Sequence, residues 1–236
     1  MNATPRYLLA LLCCALAACS QKPPAADWAL NAESASDRAT QAYLKADQRV
    51  QALEWDKARD EVQRTASPQL LARLALMRCA VEHASLQWTA CGEYQAVAVD
   101  ADPPEQAYAR YLQGSVLMPE EVGLLPEAQQ AVARAVNAES ALAAVQVIKA
   151  PLSRLLAASV ALRAHGPSQG LLAQGVDTAA GQGWRRPLLA WLLLSVRQAE
   201  QAGDSALAQR LTRRVQVLEG QVRALPTEAL PASRAQ

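Results

Sequence analysis

Residues 187–220 read PLLAWLLLSVRQAEQAGDSALAQRLTRRVQVLEG, and this stretch decides the fold class. An apolar segment is followed by Ala202-Gly203-Asp204, after which a second helical segment begins. Gly203 is suited to the left-handed conformation that ends many helices, and Asp204 is a favoured cap for the helix that follows. The stretch therefore predicts two antiparallel helices joined by a tight turn.

The composition of the whole chain extends this expectation. The 236 residues include 51 Ala and 34 Leu, against 17 Val, one Ile and no Phe. Ala and Leu favour helices, whereas the β-branched and aromatic residues that fill sheets are scarce. An apolar fraction of 51% and a formal net charge of +1 also exclude a wholly disordered chain. We therefore predict an all-α protein built from antiparallel helical hairpins.

Amphipathic stretches separated by Pro, Gly and Asp predict roughly ten helices. Ser67-Pro68 has the form of an N-cap followed by proline in the first turn, and Pro119-Glu120-Glu121 marks another helix start. The predicted segments are 34–46, 48–65, 67–85, about 104–112, 125–137, 138–150, 152–164, 168–180, 187–202 and 204–225. The segment Leu188–Val196 is apolar on every side but too short to cross a bilayer, so we expect its neighbours to cover it.

Two stretches resemble tetratricopeptide repeats. In residues 187–220 the Gly-Asp turn is followed by Ala208, where that family has a small residue between its two helices. Residues 40–71 resemble it more weakly, through Trp55-x-x-Ala58 and Pro68. Neither stretch shows the full consensus, and a clean 34-residue period is missing. The chain is therefore expected to form either a tetratricopeptide-like solenoid or an irregular helical bundle.

The N-terminus has the form of an export signal. Arg6 precedes an apolar run from Tyr7 to Ala18, which ends in Leu16-Ala17-Ala18-Cys19 and is followed by Ser20. This ending resembles the lipobox of bacterial lipoproteins. The resemblance implies cleavage after Ala18, acylation of Cys19 with chains such as palmitate and, since Ser20 is not Asp, delivery to the outer membrane. An ordinary signal peptide with a chance cysteine is the alternative.

The resulting organisation is a signal peptide over 1–18, a lipidated and flexible tether over 19–30, a helical domain over 31–223 and a disordered tail over 224–236. Removing 1–18 takes away one basic and no acidic residue, which leaves 22 of each sign. A balanced chain gives no indication of nucleic acid as a partner or of a polybasic membrane-binding surface. Attachment to the membrane is therefore expected through the lipid alone.

Two cysteines remain after this processing. Cys13 and Cys14 leave with the signal peptide and Cys19 carries lipid, so Cys79 and Cys91 are predicted to form a disulfide in an oxidising compartment. On one unbroken helix they would lie about 18 Å apart, so the bond requires the chain to reverse near residues 85–89. Two buried free thiols are the alternative.

Few side chains suit catalysis. His83 and His165 are the only imidazoles, and the chain contains neither a nucleophile motif nor a glycine-rich phosphate loop. Cys79, His83 and Cys91 have metal-ligand chemistry, but a structural zinc site needs four ligands. We therefore predict no metal, no cofactor and no catalytic residues.

Trp184-Arg185-Arg186 is the most distinctive short string. One interpretation is a basic, aromatic ledge that binds a partner, because Trp and Arg are enriched at interface hot spots. The other is a loop whose tryptophan packs under the next helix while both arginines stay in water.

The sequence thus predicts an outer-membrane-anchored periplasmic lipoprotein. We expect it to be a non-catalytic interaction or assembly factor whose partner is another envelope protein, since stacked hairpins present concave surfaces. A periplasmic enzyme, or an enzyme subunit acting on envelope polymers, is the alternative.

Overall fold

A computed structural model describes residues 26–220, which contain twelve α-helices and no strand. The all-α prediction is therefore confirmed. The helices are α1 (Asp27–Leu44), α2 (Gln48–Gln63), α3 (Pro68–Ala84), α4 (Gly92–Gln95), α5 (Pro103–Leu112), α6 (Pro119–Leu124), α7 (Glu127–Ala133), α8 (Ala138–Gln146), α9 (Pro151–His165), α10 (Gln169–Gly181), α11 (Arg185–Gln201) and α12 (Ser205–Leu218), with a 3₁₀ turn at Ala98–Asp100. The signal peptide, the lipobox with Cys19 and the tail 224–236 lie outside the described residues.

Several helices begin where their capping residues predict. The Ser67 side chain accepts a hydrogen bond from the Leu70 amide at 3.3 Å, and Pro68 opens α3. Asp204 accepts from the Leu207 amide at 2.9 Å and caps α12, after Gly203 has turned the chain with φ +74°. The turn between α11 and α12 is thus confirmed.

Other boundaries differ from the prediction. Helix α1 begins at Asp27, so the predicted tether over 19–30 is too long at its C-terminal end. Asp27 stabilises that start because a carboxylate in the first turn faces the positive end of the helix dipole. Helix α12 ends at Leu218, before Gly220 adopts φ +71°, and the segment predicted over 125–137 is helical only in α7.

The helices form two layers. The N-terminal layer is the α1–α2 hairpin with α3 packed against it, and the C-terminal layer is the consecutive series α9–α12. Helix α9 packs on α3 and α11 packs on α1, while α4–α8 connect the layers in sequence. Repeats of a solenoid contact only their neighbours. The contacts of α9 with α3 and of α11 with α1 join helices that are not neighbours in sequence, and α11–α12 is an antiparallel hairpin within this all-α arrangement.

The buried C-terminal end of α3 joins the layers. The last carbonyls of a helix lack partners within it and need donors from elsewhere. Trp191 of α11, which is fully buried, donates its indole N–H to the Ala84 carbonyl at 3.0 Å. Ser159 of α9 donates to the His83 carbonyl at 2.5 Å. Side chains of the C-terminal layer thus donate hydrogen bonds to the last carbonyl groups of a helix in the N-terminal layer.

Across residues 26–220, no helix combines the length and the hydropathy that a bilayer-spanning segment needs. The expectation that neighbours cover Leu188–Val196 on all sides is wrong in part, because the Leu193 side chain is 46% exposed. Trp191 and Leu192 of the same segment are buried.

Candidate functional site

The described part of the chain contains a mainly apolar hollow of about 600 Å³. It lies between the segment that follows α5, the end of α7 and the second half of α9. Its floor consists of side chains that are almost wholly buried, among them Val122, Val132 and Val160. We call it the valine-rimmed hollow, because Val116 and Val136 line its edge.

The two rim valines are unusually exposed. Val116 is 93% and Val136 is 83% accessible to solvent, although both are purely apolar side chains. Single exposed hydrophobic residues are common on protein surfaces and need no explanation. Here two of them line the same cavity, which makes this edge a candidate surface for a partner.

Local backbone contacts fix the position of both rim valines. Val116 follows Gly114, whose φ is +72° and whose α-carbon lies so near α9 that an added Cβ would be 3.2 Å from the Ala164 nitrogen. Val136 donates its backbone N–H to the Ser140 hydroxyl at 3.2 Å, immediately before Asn137 caps α8. The rim is therefore held by the ends of three helices.

A buried polar network supports the floor. The Tyr111 hydroxyl donates to Gln129 Oε1 at 2.6 Å, and Gln129 Nε2 donates to the Ser153 carbonyl at 3.1 Å. These bonds join α5, α7 and α9 below the hollow. Burial raises the pKa of Tyr111 well above 10.0, so the hydroxyl keeps the proton that it donates. Hydrogen bonds thus join the three helices that form the floor of the hollow, and the only ionisable side chains among its lining residues are Tyr111, Arg134 and His165.

A second, smaller groove of about 380 Å³ lies between α10, α11 and α12. Its floor includes Leu172, Val176 and Leu211, which are buried, and exposed Asp177 and Arg214 lie at its edge. Charges of both signs border it, and its apolar atoms already belong to the core. No exposed large apolar side chain lines this groove, whereas two exposed valines line the hollow.

The three residues of the Trp184-Arg185-Arg186 string have different environments. Trp184 is 7% exposed and precedes α11, whereas Arg185 is exposed. Arg186 donates to the Tyr43 carbonyl at 2.9 Å and to Gln51 Oε1 at 3.2 Å, and its guanidinium carbon lies 4.4 Å from the centre of the Tyr43 ring. Arg186 thus joins α11 to the α1–α2 hairpin and does not stay in water. Of the three side chains, only that of Arg185 is exposed enough for a partner to reach.

The predicted bridge between Cys79 and Cys91 is present, with 5.6 Å between the two α-carbons. The chain reverses after α3: Leu86 has φ +59°, and the Gln87 amide donates back to the Glu82 carbonyl at 3.2 Å. The reversal therefore lies within the predicted residues 85–89. His83 lies beside the sulfur atoms, and burial lowers the pKa of its imidazole below 6.5.

The residues that sequence reasoning missed are Val116 and Val136. Both stand in short connections between helices, where no periodic pattern separates an exposed valine from a buried one. The only local signal is an apolar residue next to Gly114-Ser115 or just before the Asn137 cap. His165, one of the two candidate imidazoles, lines the same hollow, whereas His83 is far along the chain in the sulfur cluster.

Comparison with known proteins gives no match to this chain, whether among family models, curated proteins or solved structures.

Proposed function

We propose that this protein is a lipoprotein of the outer membrane that faces the periplasm and acts as a non-catalytic interaction or assembly factor. The Leu16-Ala17-Ala18-Cys19 pattern after an apolar run supports the anchor, and Ser20 supports the outer membrane. A cysteine with several acyl chains exceeds the single chain that gives only marginal, reversible membrane binding. The helical domain would then be held close to the membrane surface, where other envelope proteins are within reach.

The valine-rimmed hollow carries the interaction part of the proposal. Val116 and Val136 expose nearly their whole side chains beside a cavity that is already apolar. Burying a valine contributes about 1.5 kcal/mol or more, so covering both favours binding without affecting the fold of the free protein. The partner that this surface suits is an apolar segment of another envelope protein.

Site-specific photocrosslinking in the envelope tests this site. A photoreactive residue at position 116 or 136 is expected to give one defined crosslinked protein. The same residue at Val99 or Val147, which are 90% and 74% exposed but away from the hollow, is the matched control and should give none. Crosslinks of equal yield from all four positions would show that the hollow is not the binding site.

The double variant Val116→Ser, Val136→Ser is expected to lose this crosslinked partner. For this experiment the photoreactive group is placed at Met118, which is 58% exposed and follows Leu117 of the hollow. The free energy of unfolding of the double variant, measured by thermal unfolding, should stay within about 0.5 kcal/mol of the wild-type value, because substitutions of exposed residues seldom alter stability more. A deletion strain with altered wall or lipid chemistry, and no crosslinked partner, would favour an enzyme acting on envelope polymers instead.

The anchor is tested with Cys19→Ala. We expect the variant to remain an unprocessed precursor, to incorporate no labelled palmitate and to leave the outer-membrane fraction. Cys14→Ala is the matched control: it removes a thiol from the same N-terminal stretch and should incorporate label like the wild type. Label in the Cys19→Ala protein would contradict the lipoprotein assignment.

A further inference from the structure

We propose that, once its disulfide is reduced, the chain binds a soft metal ion such as Zn²⁺ through Cys79, Cys91 and His83. The two sulfur atoms would either form the disulfide or bind the metal ion, but not both at once. This inference depends on the sulfur cluster alone and is independent of the proposed membrane anchor and partner.

The three ligand atoms are already together. One ligand atom from each of Cys79, His83 and Cys91 lies within 4.8 Å of the other two. Cys79 and His83 are one turn apart on α3, and the reversal after that helix returns Cys91 to the same place. Two thiolates and an imidazole with a fourth position left open are a ligand set that zinc accepts, and thiolates in general select soft ions.

His83 supplies an independent indication of a ligand. Its side chain is 1% exposed, its Nε2 lies 3.4 Å from the Thr89 carbonyl oxygen, and its Nδ1 has no hydrogen-bond partner. A buried polar atom without a partner is costly and calls for an explanation. Imidazoles that bind metals commonly donate their other N–H to a carbonyl. The carbonyls of Thr89 and Leu112 both act on the His83 ring, so one ring nitrogen has a carbonyl to bond to while the other can bind the ion.

An open cavity of about 190 Å³ adjoins the disulfide, and His83 is not among its lining residues. Both Cys79 and Cys91 line it, together with Arg78, Glu82 and Glu93. Arg78 pairs with Glu82 at 3.2 Å and with Glu93 at 2.8 Å. Because both carboxylates already have a cationic partner, the fourth position on the ion is assigned to water.

The chemistry needs an external two-electron reductant, which a dithiol or a phosphine provides. With a dithiol, the S–S bond of the protein breaks, two thiols form, and the reductant becomes a disulfide. With a phosphine, water supplies the oxygen of the phosphine oxide and the two thiol protons. Binding Zn²⁺ then releases the two thiol protons as both sulfurs become thiolate ligands, while neutral His83 coordinates without losing a proton.

The test uses the full chain, reduced with a phosphine, freed of reductant without oxygen and titrated with Zn²⁺ against a chromophoric chelator. We expect one tight site per chain in the reduced protein and none in the oxidised protein. Proton release should approach about two per Zn²⁺ at neutral pH, because a free thiol has a pKa of about 8.5. Co²⁺ in place of Zn²⁺ should give the charge-transfer absorption of thiolate ligands.

Two variants identify the ligands. Removing a group that hydrogen-bonds to a metal ligand weakens metal binding by about 10- to 100-fold. His83→Gln removes a ligand itself, so it should weaken Zn²⁺ binding by more than about 100-fold. His165→Gln, at the other histidine, is the matched control and should bind Zn²⁺ like the wild type. If His83→Gln does not fold, as judged by circular dichroism, Cys91→Ser replaces it and should also lose the thiolate–Co²⁺ absorption of the wild type.

Either of two results would overturn the proposal. The first is a reduced wild type that takes up no stoichiometric Zn²⁺. The second is a folded ligand variant that retains wild-type affinity.

Discussion

Gly175 of α10 lies directly against the indole of Trp191 in α11. A Cβ at this position would overlap the six-membered ring of Trp191, the same indole whose N–H bonds to the end of α3. Glycine in a helix interior is usually unfavourable by about 0.5–1 kcal/mol relative to alanine. Here the absent side chain makes room for the largest fully buried residue of the described chain.

Gly175→Ala is therefore expected to destabilise the protein by about 1–3 kcal/mol, as overpacking does in a closely packed core. Gly181→Ala is the matched control: it lies on the same helix, its added Cβ meets no atom within 4 Å, and it should be neutral or slightly stabilising. Urea unfolding of the two variants gives the comparison. Equal midpoints for both would show that the indole moves aside without cost.

Single residues could be predicted from the sequence where a counting or capping rule applies. The Cys79–Cys91 bridge followed from the number of cysteines left after processing, and the Asp204 cap from its place after Gly203. The bonds of Arg186 to Tyr43 and of Trp191 to Ala84 could not be predicted, because they join residues 143 and 107 positions apart.

At the scale of elements, a buried carboxylate joins the first two helices. Glu54 of α2 is 6% exposed and accepts from Lys57 Nζ at 2.6 Å and from Arg38 Nε of α1 at 2.8 Å. Both hydrogen bonds lower the pKa of Glu54 below 4.5. The bond from Lys57 has the largest effect on this pKa, and the bond from Arg38 has the next largest. The ionised carboxylate is thus part of the α1–α2 hairpin.

The free energy of unfolding should therefore fall as the pH is lowered through and below 4.5. In that range Glu54 binds a proton in the unfolded chain but stays ionised in the folded chain. Proton binding therefore stabilises the unfolded state alone, and the free energy of unfolding falls until the folded-state carboxylate is protonated too. Glu54→Gln should flatten this part of the pH dependence.

Chemical denaturation at a series of pH values measures both curves. A Glu54→Gln protein with the pH dependence of the wild type would contradict the assigned role of this carboxylate.

Helix boundaries agree with the prediction where a cap and an apolar period coincide, whereas α1 starts seven residues before the predicted segment 34–46. The segments 152–164 and 168–180 agree with α9 and α10 to within one residue at each end, because caps and apolar periodicity both identify them. The short helices α4, α7 and α8 have too few turns to show a period. The end of α3 depends on donors from α9 and α11, which no local pattern reveals.

At the scale of the whole molecule, the candidate hollow exists only because distant segments meet. Its lining comes from the chain between Tyr111 and Val136 and from α9, which contributes Val160 and His165. The sequence predicts hairpins and gives Trp184–Arg186 as one possible partner-binding ledge, with a packed tryptophan beside solvated arginines as the alternative. Finding the hollow requires knowing how α9 packs against the shorter helices, and that packing follows from tertiary contacts.

The same distant contacts predict how the molecule unfolds. A solenoid loses stability in steps when terminal repeats are removed, because each repeat contacts only its neighbours. In this protein α11 supplies both Trp191, which completes α3, and Arg186, which binds the α1–α2 hairpin. Removing α11 should therefore destabilise the N-terminal layer, although that layer lies more than a hundred residues away in sequence.

Two truncations separate these cases. A chain ending at Gln182 lacks α11 and α12, and a chain ending at Gly203 lacks only α12 and keeps Trp191 and Arg186. Losing a buried tryptophan alone costs about 3–5 kcal/mol, against a total stability of about 5–15 kcal/mol for a domain of ordinary size. We expect cooperative urea unfolding from the longer chain and none from the shorter one. If the shorter chain unfolds cooperatively with the midpoint of the longer one, the two layers are independent, and the contacts at the end of α3 do not hold them together.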